Sequence, residues 1–401
     1  MTDPLRILIL NHNVVWKGGG TFFRTYHFAR HLARRGHEVT LLTISPDARR
    51  GFQEKVVDGG LRMVEGPDML WGMGRSGWDP WNSLNRMNFI RGDRWDMVHG
   101  FDSRPAVVLP AIYAQRARKM PMVLDWCDWW GRGGTNSERS NPVVRTAMAP
   151  VETFFEEAFR GYPDGATALG QPLYERALQK GVPHDRIIEL AQGCDLEGIV
   201  PMDMLEARRQ VGLSKDGIYL GYLGVLRHKN LPFLLDIMEA IRRRSGQDIK
   251  VLLIGNHKVD LAPAWQRGAG DYLIETGWIK YEQVSAYLSA SNLLLLPLLD
   301  TVANNGIWPS KANDYLSSGR PTVSTRLDVL EDLWQRRRPG VLAGNDDPQQ
   351  FAGAVLDLLA DPENCREMGE NARRTAEEEF DWRVLTEKLE AFYYRVLSWS
   401  R

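Results

Sequence analysis

Short apolar runs alternate with segments of helical periodicity through the first half of the chain. The run at 6–10 predicts a strand, and a helix from about residue 21 to about residue 35 follows it and ends at Gly36. Further strands are predicted at 37–43, 97–98, 122–124 and 165–169. This alternation is typical of a doubly wound α/β domain built on a parallel sheet.

The same alternation starts again after Asp195 and predicts a second domain. Its strands are predicted at Ile218–Leu223, Ile249–Ile254, 272–276, 292–296 and 321–324, and its helices at 231–244, 281–289, 310–318 and Pro348–Leu359. We predict two Rossmann-like domains, 1–195 and 196–381, that face each other across a cleft, with helix Trp382–Trp399 packed back on the first. Such sheets bind ligands at the carboxyl ends of their strands.

Residues 51–94 interrupt the alternation, because they are dominated by Gly, Trp and polar side chains. We interpret them as a long, partly ordered insertion that determines specificity. Trp78 lies in this segment and is a candidate contact for a carbohydrate or other amphipathic acceptor, since an indole face stacks well on a sugar ring. The chain has 14 tryptophans, and composition alone favours core packing for most of them.

Charge and composition narrow the classes of function. A formal net charge of −1 over 401 residues argues against nucleic acid as the main partner. The three cysteines (Cys127, Cys194 and Cys365) are far apart, which predicts reduced thiols and no zinc site. The apolar run at 5–10 is too short for a signal peptide, and no run approaches the roughly 20 residues of a membrane span. We expect a cytoplasmic protein.

Peripheral contact with the inner face of the membrane is left open by two basic segments, 30–35 and 116–119. Such residues can meet anionic headgroups, although a solvated helix face is their commoner role.

A glycine cluster, Gly18-Gly19-Gly20, lies between the first predicted strand and its helix. Glycines let the backbone bend under a ligand and present N–H groups at a helix N-terminus, so Gly19 and Gly20 are candidate donor contacts. A simple turn is the alternative. The cluster does not fit G-x-G-x-x-G and no acid follows the second strand, which disfavours a dinucleotide fold.

A second glycine turn with cations follows the strand at Ile218–Leu223. Gly224 allows close approach of the backbone to an anion, and Arg227 with Lys229 can neutralise a diphosphate. The helix that begins near Asn230 adds free N–H groups. A solvated turn is the competing interpretation.

Lys311 and Asp314 stand three residues apart at the start of a predicted helix, so both can face the same side. The polar loop before them contains Asn304, Asn305 and Pro309, whose hydrogen-bonding groups suit sugar hydroxyls. The alternative is an exposed lysine with an aspartate stabilised by the helix dipole. We favour the functional interpretation.

Three polar residues mark strand ends in the first domain. Asp125 and Asp128 follow the strand at 122–124, and such carboxylates could orient a sugar hydroxyl or act as a base. They could also be ordinary loop residues or ligands of a divalent cation. His99 occupies an equivalent strand end, where a lone histidine is usually structural.

With these residues placed, the chain resembles the family 4 retaining glycosyltransferases of GT-B fold over nearly its whole length. The resemblance is carried by several short motifs in the family's order: the first βαβ unit at 7–43, Asp96-Met97-Val98-His99, Gly193-Cys194-Asp195 and Gly319-Arg320-Pro321-Thr322-Val323. It implies a nucleotide-diphosphate sugar donor bound in the second domain and a glycan, lipid-linked or small-molecule acceptor in the first. It also implies retention at the anomeric carbon and no obligatory metal or cofactor.

The resemblance assigns roles to individual residues. Arg227 and Lys229 would hold the diphosphate and stabilise its charge as it leaves. Gly255, Trp278 and Ile279 would lie near the base. These assignments place most of the donor site in the second domain, and Gly19 and Gly20 are the candidate donor contacts from the first.

Asp314 would occupy the second acidic position of the family's E-x7-E motif and face the ribose, with Lys311 contributing to donor binding. Gly306 stands at the first acidic position, and Cys127 stands where a histidine is expected, next to Asp128. Asp128 or the leaving phosphate oxygen would take the acceptor proton. A non-catalytic nucleotide-sugar or glycan-binding protein and a GT-B epimerase or phosphorylase are the alternatives.

Overall fold

The computed structural model describes residues 3–15, 19–68, 77–139, 141–226, 229–257 and 259–399. The chain divides into two compact units: the first contains Met1–Gln192 and Trp382–Arg401, and the second contains Gly193–Asp381. The predicted boundary between 195 and 196 lies next to the observed one.

Unit 1 is built on an eight-stranded sheet with the order β3-β4-β2-β1-β5-β6-β7-β8. All neighbouring strands are parallel except β3 and β4. The strands are β1 (Arg6–Val14), β2 (Glu38–Ile44), β3 (Gln53–Val57), β4 (Leu61–Gly66), β5 (Met97–Phe101), β6 (Met122–Trp126), β7 (Gly165–Ala168) and β8 (Ile187–Glu189). The helices are α1 (Gly19–Arg34), α2 (Pro80–Arg91), α3 (Pro105–Arg118), α4 (Pro142–Glu157) and α5 (Gln171–Gln179).

The central strands of unit 1 are buried on both faces. Ile7 and Ile9 of β1 pack into one apolar cluster with residues of α1, whereas Leu8 and Leu10 pack into another with Val107 of α3. A strand covered on both sides needs apolar residues at every position, because neither face meets water. This is why the sequence shows a continuous apolar run here rather than an alternating one.

Unit 2 has a six-stranded, fully parallel sheet with the order β11-β10-β9-β12-β13-β14. Its strands are β9 (Ile218–Leu223), β10 (Ile249–Ile254), β11 (Leu273–Gly277), β12 (Leu293–Leu296), β13 (Thr322–Thr325) and β14 (Gly340–Ala343). Its helices are α6 (Met204–Val211), α7 (Asn230–Arg244), α8 (Ala262–Gln266), α9 (Tyr281–Ala290), α10 (Val302–Asn305), α11 (Lys311–Ser318), α12 (Asp328–Arg337), α13 (Pro348–Leu359) and α14 (Pro362–Glu379).

The last helix, α15 (Trp382–Trp399), returns to unit 1. Leu385, Leu389, Phe392 and Val396 recur three or four residues apart and therefore lie on one face, which is buried in the core beside α1. The ring of Trp382 stacks on His27 of α1 with 4.8 Å between centroids. Helix α15 therefore packs against α1 in unit 1.

The interpretation of residues 51–94 as a partly ordered insertion is wrong for most of that segment. It contains β3, β4 and α2, and only 69–76 lie outside the described residues. Strand β3 is an edge strand with mostly exposed residues, so it lacks an apolar pattern. Helix α2 is capped by Asp79, which accepts from the backbone N–H of Trp81, and it buries polar Asn82 and Arg86.

A buried ion pair joins α1 to the sheet of unit 1. Arg24 donates from Nη2 to Asp125 Oδ1 at 2.9 Å and from Nε to Asp125 Oδ2 at 3.1 Å, and both side chains are almost completely buried. Its remaining donors reach the carbonyl oxygens of Leu190 and Ala191. Thr167 donates to the same carboxylate. Every polar group of the pair therefore has a partner in the interior.

Asp125→Ala is expected to lower the free energy of unfolding by about 3–5 kcal/mol, because it leaves the Arg24 guanidinium buried without its counter-ion. Chemical denaturation followed by tryptophan fluorescence measures this. The control is Glu54→Ala, which removes a partner of Arg62 at the surface of the same unit and should cost under about 1 kcal/mol. Equal losses in the two variants would contradict a structural role for Asp125.

Candidate active site

Two glycine turns lie side by side at the carboxyl edge of the unit 2 sheet. Gly224 follows β9 with φ 76° and Gly255 follows β10 with φ 90°, a region that favours glycine. The Gly224 N–H donates to the carbonyl of Ile254 at 2.7 Å, and the Gly255 N–H donates to Thr276 Oγ1 at 2.9 Å. Among the described residues, a Cβ on Gly224 would meet nothing within 4 Å, and one on Gly255 would meet only the Gly224 backbone. There is space for a ligand above both turns.

Lys311, the first residue of α11, reaches back to the end of β9. Its Nζ donates to the Tyr222 hydroxyl at 3.1 Å and to the Val225 carbonyl at 2.9 Å, and it lies 4.6 Å from the centroid of the Tyr222 ring. It lines a cavity of about 170 Å³ together with Asn230 and Asn304. A half-buried cation therefore stands in a small polar cavity where the strands end.

The N-terminus of α7 lies at the same cavity. Asn230 begins the helix and lines the cavity, and Lys229 precedes it as an exposed residue. The free N–H groups and the dipole of this helix end favour an anion. Arg227 falls outside the described residues, as does Gly18, while Gly19 and Gly20 form the first turn of α1 in unit 1.

Asp314 lies on α11 one turn after Lys311 and is half-buried. Its burial and the negative charge of Asp195 raise its pKa to about 7, against the opposing effect of Lys311. Asp195 itself accepts hydrogen bonds from the Tyr281 hydroxyl at 2.7 Å and from the Gly198 N–H at 2.9 Å. Asp314 is therefore poised to change charge near neutral pH, but it is not part of the cavity lining.

Trp278 and Ile279 follow β11 at the outer edge of the same sheet. Trp278 is 75% exposed, whereas Ile279 is half-buried. Just before them, Gly277 forms an isolated bridge with Gly255, which joins this segment to the second glycine turn. An exposed indole at this point offers a flat face for a planar ring.

Asp128 is the strongest candidate in unit 1. It follows β6, is half-buried and accepts a hydrogen bond from Thr21 Oγ1 of α1 at 3.1 Å. Burial and the nearby Asp102 raise its pKa to about 7, although the hydrogen bond from Thr21 and the charge of Arg104 act in the opposite direction. A carboxyl group with a pKa near the working pH is suited to general acid–base chemistry.

Sequence reasoning missed two neighbours of Asp128, namely His12 and Asp102. Asp102 directly follows β5 with φ 77°, an uncommon conformation for a residue other than glycine. Its Oδ2 is hydrogen-bonded to His12 Nε2 at 2.8 Å, and it accepts from Trp130 Nε1 at 3.1 Å. His12 lies two residues and Asp102 four residues beyond the end of a predicted strand, which is the signal that could have identified them.

The protonation of this cluster follows from its burial. Although burial alone would raise the pKa of Asp102, the charge and hydrogen bond of His12 hold it well below the ordinary value. Desolvation lowers the pKa of His12. Burial raises the pKa of Cys127 well above its ordinary value, so this thiol is neutral. Asp102, Cys127 and Asp128 have ligand atoms within 4.8 Å of one another, but a neutral thiol is a poor ligand for the hard cations that carboxylates bind.

Asp125 and His99, the predicted acceptor contacts at strand ends of unit 1, have buried protein partners in the structure. Both are completely buried. Asp125 is held by Arg24, so it does not form a carboxylate pair with Asp128. His99 Nδ1 is hydrogen-bonded to the Tyr393 hydroxyl at 2.7 Å, and burial lowers its pKa to about 3. Both residues connect helices to the sheet instead.

Trp78 lies beside the Asp102 cluster and is half-buried. The guanidinium of Arg104 lies 4.9 Å from the centroid of Trp78 and 4.1 Å from that of Trp130. Trp78 also meets Phe155 of α4 edge to face. The predicted acceptor contact at Trp78 remains a proposal, now with defined neighbours.

Two doubly wound units of this kind define a protein of the GT-B glycosyltransferase fold. Sucrose-phosphate synthase from Thermosynechococcus elongatus superposes with a TM-score of 0.73 at 16% identity, over 98% of this chain and 99% of that one. HepE from Anabaena, solved in complex with UDP and glucose, gives a TM-score of 0.70 at 14% identity, over 98% and 100%. These likenesses confirm the predicted fold class.

The sequence identifies the family within that fold. Residues 19–193 match the family described as "Glycosyl transferase 4-like domain", and residues 216–361 match "Glycosyl transferases group 1". The chain belongs to the family 4 glycosyltransferases of GT-B type, as the resemblance implied. It is 25% identical over 238 residues to N-acetyl-alpha-D-glucosaminyl L-malate synthase from Bacillus anthracis, a match that covers 58% of this chain and 60% of that enzyme.

Among the helices that the structure describes, none is both long enough and apolar enough to span a bilayer.

Asp314→Asn should change how stability depends on pH. Between the ordinary value of 3.8 and about 7, folded wild-type protein holds a proton at Asp314 that the unfolded chain releases. Wild-type stability from this group therefore falls as pH rises through that window. Relative to wild type, the free energy of unfolding of the variant should increase from about pH 4 to about pH 8.

Chemical denaturation across that pH range measures the difference between variant and wild type. Asp357→Asn, at an exposed position on α13 of the same unit, controls for the loss of a carboxylate. A difference that stays constant with pH for Asp314→Asn would show that Asp314 is already ionised in the folded protein at low pH.

Proposed function

We propose that this protein is a retaining glycosyltransferase that moves a sugar from a nucleotide-diphosphate donor to an acceptor hydroxyl without a metal. The observation that carries the proposal is Lys311 in the polar cavity at the carboxyl edge of the unit 2 sheet, with the open turns at Gly224 and Gly255 on the same edge. HepE, which shares the fold, was solved with UDP and glucose. Retention and independence from metal are proposed from the family resemblance.

The donor half of the reaction depends on stabilising the leaving diphosphate. Lys229 stands at the N-terminus of α7, so a phosphate there would meet a cation and free N–H groups together. We assign the second cation to Arg227, which comes two residues earlier in the sequence. Lys311 adds a cation fixed by Tyr222 and Val225. Groups fixed in place before the reaction stabilise developing charge without reorganisation, which is usually the largest catalytic effect.

The donor also needs recognition of its nucleoside. We assign the base to the region of Gly255, Trp278 and Ile279, where the backbone turns and an exposed indole lie at one sheet edge. We assign the ribose hydroxyls to Asp314, which as a carboxylate above its pKa accepts their hydrogen bonds. Gly306 leaves the donor sugar without the first acid of the family motif.

The acceptor half is assigned to Asp128 in unit 1. The acceptor oxygen forms the new bond to the anomeric carbon as the bond to the diphosphate breaks. Its proton passes either to the leaving phosphate oxygen or to Asp128, whose pKa of about 7 suits either direction of transfer. Trp78 would contact the acceptor beside the His12 and Asp102 pair.

A non-catalytic nucleotide-sugar-binding protein is the second candidate. It is favoured by Gly306 at an acidic position of the motif and by the neutral thiol of Cys127 where a histidine is expected. Hydrolysis of the donor in the absence of acceptor distinguishes the two candidates. A glycosyltransferase slowly transfers the sugar to water, whereas a protein that only binds the donor does not.

A thermal-shift panel of UDP, GDP, ADP and dTDP, each with and without common sugars, tests donor binding. One nucleotide at about 100 times its dissociation constant should raise the free energy of unfolding by about 2.7 kcal/mol. Asp314→Asn and Lys311→Met should reduce the shift, whereas Asp357→Asn should retain it. The absence of a thermal shift with every nucleotide of the panel would contradict a donor site in unit 2.

The double variant Arg227→Ala/Lys229→Ala should lower kcat by at least about 100-fold, since it removes two cations that stabilise the leaving group. Steady-state turnover with the nucleotide sugar identified by the panel measures this effect. Arg209→Ala, an exposed arginine of the same unit paired with Glu206, is the control and should turn over like wild type. Unchanged turnover in the double variant would remove both residues from the diphosphate site.

A further inference from the structure

Helix α4 of unit 1 turns its charged side inward and its apolar side outward. Its buried residues are Glu152 and Glu156. Val143 is 74% exposed and Phe154 54% exposed. The exposed apolar stripe of α4 consists of Val143, Val144, Ala147, Val151 and Phe154. A surface helix of a globular protein normally has the opposite arrangement.

The inward acids fix this orientation. Glu152 accepts from Arg104 Nη1 and from Arg139 Nη2, each at 2.7 Å. Glu156 accepts from the backbone N–H groups of Trp130 at 2.8 Å and Gly131 at 2.6 Å. If α4 were rotated to bury its apolar stripe, Glu152 and Glu156 would lose their buried hydrogen-bond partners, and those partners would be left unpaired. The exposed stripe is therefore a fixed feature of unit 1.

The charges beside the stripe are positive. Arg145 of α4 is exposed, and Arg132, whose Nε lies 3.4 Å from Glu157 Oε1, keeps 68% of its side chain exposed. The remaining acid of α4, Glu157, is neutralised by Arg176 and Lys180 at 2.8 Å each. A groove of about 930 Å³ runs along this side of the helix, lined by Arg132, Arg145, Lys180 and Phe154 among others.

Aromatic rings extend the stripe toward a second basic segment. Phe154 contacts Phe159, which contacts the half-exposed ring of Tyr162. The guanidinium of Arg116 lies 4.8 Å from the Tyr162 centroid. Apolar and aromatic side chains thus form a continuous band with exposed cations at both ends.

We propose that the α4 stripe docks on an anionic lipid surface. A helix with an apolar face and flanking cations lies in the plane of the headgroups, where apolar burial and attraction to anionic lipids act together. A second copy of this chain fits less well, because pairing of two such stripes would bring the exposed cations that flank each of them into one interface. Arg132 and Arg145 both line the groove beside α4, whose volume of about 930 Å³ can receive a headgroup.

The docking surface is connected directly to the Asp102 cluster. Glu156 holds the backbone of Trp130, whose Nε1 donates to Asp102, and Glu152 holds Arg104, which lies over the Trp130 ring. Docking would therefore place the acceptor side of unit 1 next to the bilayer, which favours a lipid-linked acceptor. This last step rests on the proposed function, whereas docking itself does not.

Co-sedimentation of the full chain with vesicles tests the proposal. Wild type should bind vesicles of phosphatidylcholine with phosphatidylglycerol, and bind pure phosphatidylcholine vesicles at least about fivefold more weakly. Val143→Ser/Phe154→Ser should weaken binding by more than about tenfold, because it removes two exposed apolar side chains that would be buried in the bilayer. Arg145→Gln should reduce the preference for anionic vesicles. Val56→Ser, which is 75% exposed on β3 of the same unit, should bind like wild type.

Two readouts keep the test decisive. Circular dichroism must show the same unfolding temperature for the double variant and Val56→Ser, so that loss of binding is not loss of fold. Sedimentation velocity without lipid reports self-association. If the double variant binds vesicles like wild type, the proposal is overturned. It is also overturned if wild type does not bind vesicles and instead forms a dimer that is lost in the double variant. Donor binding in the nucleotide panel is independent of either result.

Discussion

Burial of parallel strands on both faces is the constraint on which the rest of this structure depends. Strands such as β1 and β9 have apolar residues on both sides, so a polar side chain within the sheet, such as His99 or Asp125, needs a buried partner. Polar chemistry is displaced to the points where strands end. Asp102, Asp128 and Lys311 all stand there, one or a few residues beyond a strand or at the helix that follows. In each unit the core therefore determines where a site can form.

The direction of each side chain then separates structure from chemistry at these ends. Asp125 and Asp128 are three residues apart, yet Asp125 is fully buried against Arg24 while Asp128 stays half-buried beside Thr21. The first is neutralised by an ion pair and holds α1 to the sheet. The second lacks a cation within hydrogen-bonding distance in the described part of the chain, so its pKa rises toward neutrality. The different burial of the two carboxylates, and the arginine that pairs with only one of them, account for their different roles.

The same buried polar network links the sheet edge to the surface of unit 1. Glu152 and Glu156 neutralise or accept from groups beneath α4, and in doing so they leave the apolar residues of that helix facing solvent. Trp130 belongs to both regions, through its backbone to Glu156 and through its indole to Asp102. The same buried hydrogen bonds of Glu152 and Glu156 therefore hold the candidate acceptor site in place and leave the α4 stripe exposed.

The sequence by itself determined the α/β class, the family, and most strands and helices, because buried parallel strands leave continuous apolar runs. It also placed Gly224 and Gly255 just after strands and Lys311 at the start of a helix. It missed β3 and α2, since an exposed edge strand and a helix that buries Asn82 and Arg86 carry no apolar period. Only the tertiary structure decided that His99 and Asp125 are internal, that His12 meets Asp102, and that α4 is inverted. Those outcomes depend on partners distant in sequence, which no local pattern encodes.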